Sequence, residues 1–135
     1  MYRKDTILTE VERLTQFLAK LLGLKNNNEH EEAQQLYEDT MRSSFGLQPN
    51  ELPHLSNEDF MQLIRQKGYS AGKLDILAQL LFQDATTPLK HPAKAKSLLE
   101  KTLLIFDMLE QEHHIQSFDN IALRNKILYL LQQNA

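Results

Sequence analysis

Five histidines and no cysteine define the catalytic and metal chemistry open to this chain. Without a thiol, disulfides, thiolate metal sites and a cysteine nucleophile are excluded. The densest grouping is Glu110-Gln111-Glu112-His113-His114. Within it Glu110 and His113 have the Glu-x-x-His spacing that puts two ligands on one helix face in di-iron bundles. Such a centre needs two of these motifs and further inward carboxylates. This run falls at a predicted helix end, where polar residues meet water, so a solvated helix end is the expectation and no metal or other cofactor is expected. His30, His54 and His91 are scattered in loops or caps, and neither His-Glu-x-x-His nor Gly-x-Ser-x-Gly occurs. No catalytic residue is assigned, and the chain is expected not to be an enzyme. A metal protein built on Glu110, His113 and His114 is the least favoured role.

Binding chemistry is equally sparse. Three of the four glycines, Gly23, Gly46 and Gly68, sit at predicted helix ends, each followed by an apolar residue, the pattern of a left-handed stop with an apolar clasp. Gly72 falls in the first turn of a helix. None is left for a phosphate-cradling loop, which disfavours P-loop and dinucleotide sites. Lys90-His91-Pro92-Ala93-Lys94-Ala95-Lys96 lies at a predicted helix start, where backbone N–H groups favour anions. A charge run of this kind is expected to be a solvated face. With a formal net charge of −3 and no interleaving of basic and aromatic residues, no nucleic-acid partner is expected. Met1-Tyr2-Arg3-Lys4-Asp5 leads into apolar residues soon broken by polar ones, and no stretch approaches the ~20 apolar residues of a membrane span. The expectation is a soluble cytoplasmic chain with no membrane partner.

The elements that must carry these residues are helices. The 135 residues include 25 Leu, seven Ile and one Val. Leu, Gln, Glu and Lys favour helices and β-branched residues favour strands, so the fold class is all-α. The length suits a single domain over 1–135. Spacing and caps predict six helices. The first runs from about Asp5 to Leu22, stopped at Gly23, and the second from about Glu29 to Ser44, stopped at Gly46. A loop with Pro49 and Pro53 leads to a third, shorter helix capped by Ser56 and ended by Gly68. Ser70 caps the fourth, Pro92 opens a fifth that reaches about Glu112, and Ser117 caps a sixth over about 117–133.

The sequence repeats itself. Leu18-Ala19-Lys20-Leu21-Leu22 matches Leu77-Ala78-Gln79-Leu80-Leu81, and Ala33, Tyr37 and Thr40 match Ala95, Leu99 and Thr102 in the following helix. The halves span about 5–45 and 70–112. At these residues the chain resembles tetratricopeptide-repeat proteins. That family's first helix has a large–small pair with a large residue three later, here Leu18-Ala19 with Leu22 and Leu77-Ala78 with Leu81. Its second helix has small, bulky and small residues at the spacing of Ala33, Tyr37 and Thr40. The loops are longer than the family's turn, its closing proline is missing, and a third helix is inserted between the halves. The whole is also similar to a group of short, uncharacterised bacterial helical proteins. The resemblances imply antiparallel hairpins in an array, a bacterial cytoplasmic setting, and binding of protein or peptide.

The last two helices carry the strongest sign of a partner. Leu98, Leu99, Leu103, Leu104, Ile105, Phe106, Met108 and Leu109 cover most of the fifth helix's circumference, and apolar residues from Phe118 to Leu131 nearly circle the sixth. A helix apolar all round must be enclosed, yet helical arrays end in a helix with a polar outer face. One chain of this size is hard pressed to enclose two. The expected function is a non-enzymatic helical-repeat scaffold that binds protein or self-associates as a homodimer. Leu104, Met108, Leu123, Ile127, Leu130 and Leu131 are its expected interface. Two other readings stay open: a peptide-binding module with a short groove, which the third helix would abolish by filling it, or a sixth helix folded back into a deep core.

Overall fold

The computed structural model describes residues 2–88 and 90–133. Leu89, expected in the loop before Pro92, and Met1 lie outside the described residues. Six α-helices are present: α1 (Tyr2–Asn26), α2 (His30–Ser44), α3 (Asn57–Lys67), α4 (Ala71–Ala85), α5 (Pro92–Glu112) and α6 (Phe118–Gln133). A 3-10 turn, Leu52–His54, lies between α2 and α3, and no strand occurs among the described residues.

Side-chain caps fix the starts. Ser56, Ser70 and Ser117 each accept a hydrogen bond from the backbone N–H three residues on, at 3.0, 3.3 and 3.0 Å. His91 Nδ1 accepts from the Ala93 N–H at 3.1 Å, and Pro92, with its fixed φ and no N–H, follows in the first turn. The stops are mixed. Gly46 and Gly68 take the left-handed conformation, φ 65° and 63°. Gly23 does not end α1, which continues one turn to Asn26, and the left-handed residue is Asn28 at φ 60°. The extra turn is held by tertiary contact. Leu24 packs against the core, and Lys25 Nζ donates to the Gln83 carbonyl and side chain at 2.7 and 2.9 Å.

α4 is the centre of the molecule. It packs against α5, α1 and α2, and α5 in turn carries α3, the 3-10 turn and α6. Leu74, Leu77, Ala78, Leu80, Leu81 and Phe82 are buried around most of α4's circumference, leaving Asp75, Gln79 and Gln83 as a half-buried polar stripe. Gly72 permits the approach of α1. A Cβ there would stand 3.0 Å from a Val11 methyl, so any side chain must push α1 away. The two matched halves are used unequally. Leu77, Ala78 and Leu81 are buried, whereas Leu18 is half-buried and Ala19 and Leu22 are exposed, because α1 meets neighbours on one side only.

Polar anchors hold the long α2–α3 connection. The Tyr69 hydroxyl donates to the Phe45 carbonyl, and Lys67 Nζ donates to the Gly46 carbonyl at 3.0 Å. Lys101, 1% exposed, donates from Nζ to the Leu55 carbonyl and to Ser97 Oγ, both at 2.8 Å. Ser97 Oγ donates onward to the Pro53 carbonyl at 2.7 Å. Burial lowers the Lys101 pKa, since its partners are neutral oxygens that only partly replace water around the charge.

Candidate functional site

The groups with chemical capacity are dispersed. Glu110, His113 and His114 are exposed at the end of α5. The Glu110 carboxylate lies 3.5 Å from Arg124, and Glu112 accepts from Arg65 Nε at 3.3 Å. His114 adopts φ 56° and the Ile115 N–H bonds the Leu109 carbonyl at 2.9 Å. The end of α2 is built alike, with Gly46 left-handed and the Leu47 N–H on the Met41 carbonyl at 3.0 Å. His113 and His114 therefore terminate a helix. One Glu-x-x-His is the sequence expectation, but a second such spacing is present at Glu51 to His54, outside the α-helices. It lies in and before the 3-10 turn with both side chains exposed. Among the described residues no group of three or more His, Asp and Glu is placed to hold a metal ion.

A buried polar cluster joins the ends of α1, α2 and α4. Tyr37 and Asp84 are buried, and His30 Nδ1 has no hydrogen-bond partner among the described residues. Burial first, then the Asp84 charge, raises the Tyr37 pKa well above its ordinary value. Lys90 forms an ion pair with Asp84 at 2.9 Å. Burial lowers the Lys25 pKa, against the opposing pull of Asp84. The cavity they share is about 10 Å³, space for one water-sized group and too small for a substrate. The remaining lysines of the basic run, Lys94 and Lys96, are exposed beside an α5 N-terminus already capped by His91.

Two features of larger size involve α6. The first is an open groove of about 580 Å³, with Asp75, Ile76 and Gln79 of α4 as its floor, Thr15 and Leu18 of α1 on one wall and Asp119, Ala122, Leu123 and Lys126 of α6 on the other. α3 packs on α5 and leaves this groove unfilled. Asp75 has a raised pKa because burial disfavours its charge and Asp119 adds repulsion, while hydrogen bonds from Asn120 and Gln79 oppose the rise.

The second feature is the outer face of α6. At 100° per residue, Phe118, Ala122, Asn125 and Tyr129 lie opposite Ile127. Ile127 is 0% exposed, whereas Phe118 is 90% and Tyr129 60% exposed. Leu128 and Ile121 flank them and are exposed too, as is Ile115 just before the helix. The six residues expected at an interface serve the protomer's own core. Ile127 and Met108 are buried, and Leu104, Leu123, Leu130 and Leu131 are half-buried against the core. In this orientation Arg124 reaches Asp107 and Glu110 on α5 at 2.8 and 3.5 Å, with the Ile127 face inward and the Phe118 face out. The signal was present as the aromatic pair Phe118 and Tyr129 on the side opposite the aliphatic residues.

No helix among the described residues is long and apolar enough to cross a membrane. Comparison of the chain with protein-family models, with curated proteins and with solved structures finds no match.

Proposed function

We propose that this chain is a non-enzymatic helical scaffold of tetratricopeptide-like hairpins that engages protein through the outer face of α6. The pairs α1–α2 and α4–α5 would be the two hairpins, with α6 packed on α5. Their packing partners, α1 on α4 and α2 on α4, accord with that arrangement. Bacterial cytoplasm is the setting the resemblance implies. The observation that carries the reading is Phe118, 90% exposed beside Tyr129 and Leu128 on the outer face of α6. Exposed aromatic clusters are the usual anchors of protein contacts.

The open groove over α4 supports a second reading, a module that takes an extended peptide against Asp75 and Gln79. A benzophenone amino acid placed at Tyr129 or at Gln79 in the native cells separates the two. Covalent protein adducts from position 129 and none from 79 are the expected result. Adducts from position 79 alone would transfer the function to the groove, and adducts from neither would contradict both readings.

A further inference from the structure

Resting on the reading of α6's outer face as the contact surface, we propose that its occupant is a second copy of this chain, packed α6 against α6 in antiparallel orientation. The face has a palindromic layout. Phe118, Ala122, Asn125 and Tyr129 follow one another at four, three and four residues, the alternation of a coiled-coil seam. Read from either end the spacing is the same. A two-fold axis crossing α6 between Leu123 and Arg124 therefore sets Phe118 level with the partner's Tyr129 and Ala122 level with the partner's Asn125. A large residue meets a large one at each end. Small Ala122 lies beside the axis, where the backbones must come closest.

The flanks complete the match. On one side of the seam lie Ile121 and Leu128, on the other Asp119 and Lys126, each pair seven residues apart. In an antiparallel pair like flanks face each other. Ile121 then lies beside the partner's Leu128, and Asp119 beside the partner's Lys126. Asp119 and Lys126 are both exposed at the rim of the groove over α4, where the Lys126 ammonium lies 5.6 Å from the Phe82 ring centroid, and neither forms an ion pair among the described residues. A parallel pair would set the charged flank against the apolar one and leave both charges unpaired. Charge complementarity thus selects the antiparallel form. Aromatic side chains bury about 150–250 Å² each, so the exposed aromatic and aliphatic groups of two copies amount to about 1,000 Å². That is the threshold of a specific interface, so the dimer depends on concentration.

The absence of cysteine makes a direct test simple. Asp119→Cys and Lys126→Cys proteins are treated with a short bis-maleimide separately and as a mixture, while sedimentation reports the mass of each. Both variants leave the aromatic anchors in place. The proposal expects two-chain particles and a 119-to-126 adduct that forms in the mixture and not with Asp119→Cys alone, whose two sites lie about 13 Å apart along the axis. Phe118→Glu should weaken the dimer by about 30-fold or more, the effect of losing a hot-spot aromatic, with an unchanged circular dichroism spectrum. Two-chain particles without the mixed adduct would overturn the antiparallel register. One-chain particles at millimolar concentration would overturn the second copy as occupant, and benzophenone adducts to a different protein at position 129 would then leave the contact reading standing.

Discussion

In α5, Leu98, Leu99, Ile105, Phe106, Met108 and Leu109 are all buried; in α6 the buried side chains are Asn120 and Ile127, although its apolar residues circle the axis just as fully. The difference lies in the neighbours. α5 has α4, α3, the 3-10 turn and α6 around it, whereas the main contact of α6 is α5. Apolar coverage all round a helix therefore has two meanings. Where the fold provides neighbours on every side, it is core. Where the fold provides one, the remainder is left exposed.

Substitutions should separate the two helices sharply. Leu98→Ala in α5 removes a side chain with no exposed area and should cost about 2–5 kcal/mol. Leu128→Ala on the outer flank of α6 should change the stability of the dilute protein by no more than about 0.5 kcal/mol. Urea unfolding of both variants gives the ratio, and equal losses would break the comparison. Removing a cap sharpens it further. Ser70→Ala and Ser117→Ala each lose one cap hydrogen bond, worth about 1 kcal/mol. In amide exchange, Ser117→Ala should speed α6 alone by local opening. Ser70→Ala should speed the whole core together, because α4 cannot open without it.

A smaller effect joins α4 to α6 through pH. Asp75 has a folded pKa raised above its ordinary 3.8, so folding favours its protonated form. Its contribution to stability is fully present below about pH 3.8 and is lost as pH rises through the folded value. At pH 7 the buried charge is a penalty, and Asp75→Asn, which keeps an acceptor for Asn120 or Gln79, should be more stable than the parent. The gain should vanish when urea unfolding is repeated at pH 3.5. A gain that persists there would show that the charge is not its source. The least effect is expected at His114, where a side chain occupies a left-handed position. His114→Gly should gain about 0.5 kcal/mol, and His114→Val should lose more than that in thermal unfolding.

Much of the fold is legible in local chemistry. Ser56, Ser70, Ser117 and Pro92 announce helix starts, and Gly46 and Gly68 announce stops, because each requirement is met within a few residues. Gly23 misleads because Lys25 finds Gln83, 58 residues away, and Leu24 packs against the core, and those contacts extend α1 past its local stop. The end of α5 near Glu112 is legible without a glycine, and there a histidine, His114, does what Gly46 does in α2. The orientation of α6 is the least legible feature. With apolar residues on every side the helix's own pattern sets no inward direction, and its tertiary contacts, the burial of Ile127 and the pairing of Arg124 with Asp107 and Glu110, go with the one observed. In it Ile127 and Leu131 point to the protomer's own core while Phe118 and Tyr129 point outward.

Sedimentation of the parent chain and of Phe118→Glu across a wide concentration range bears most directly on the meaning of that outward face. A mass rising from one chain to two as the parent is concentrated, with Phe118→Glu remaining at one chain and unfolding at the same urea concentration when dilute, is the outcome predicted here. A parent that stays at one-chain mass at every concentration, or a Phe118→Glu protein that still pairs as tightly, would contradict it.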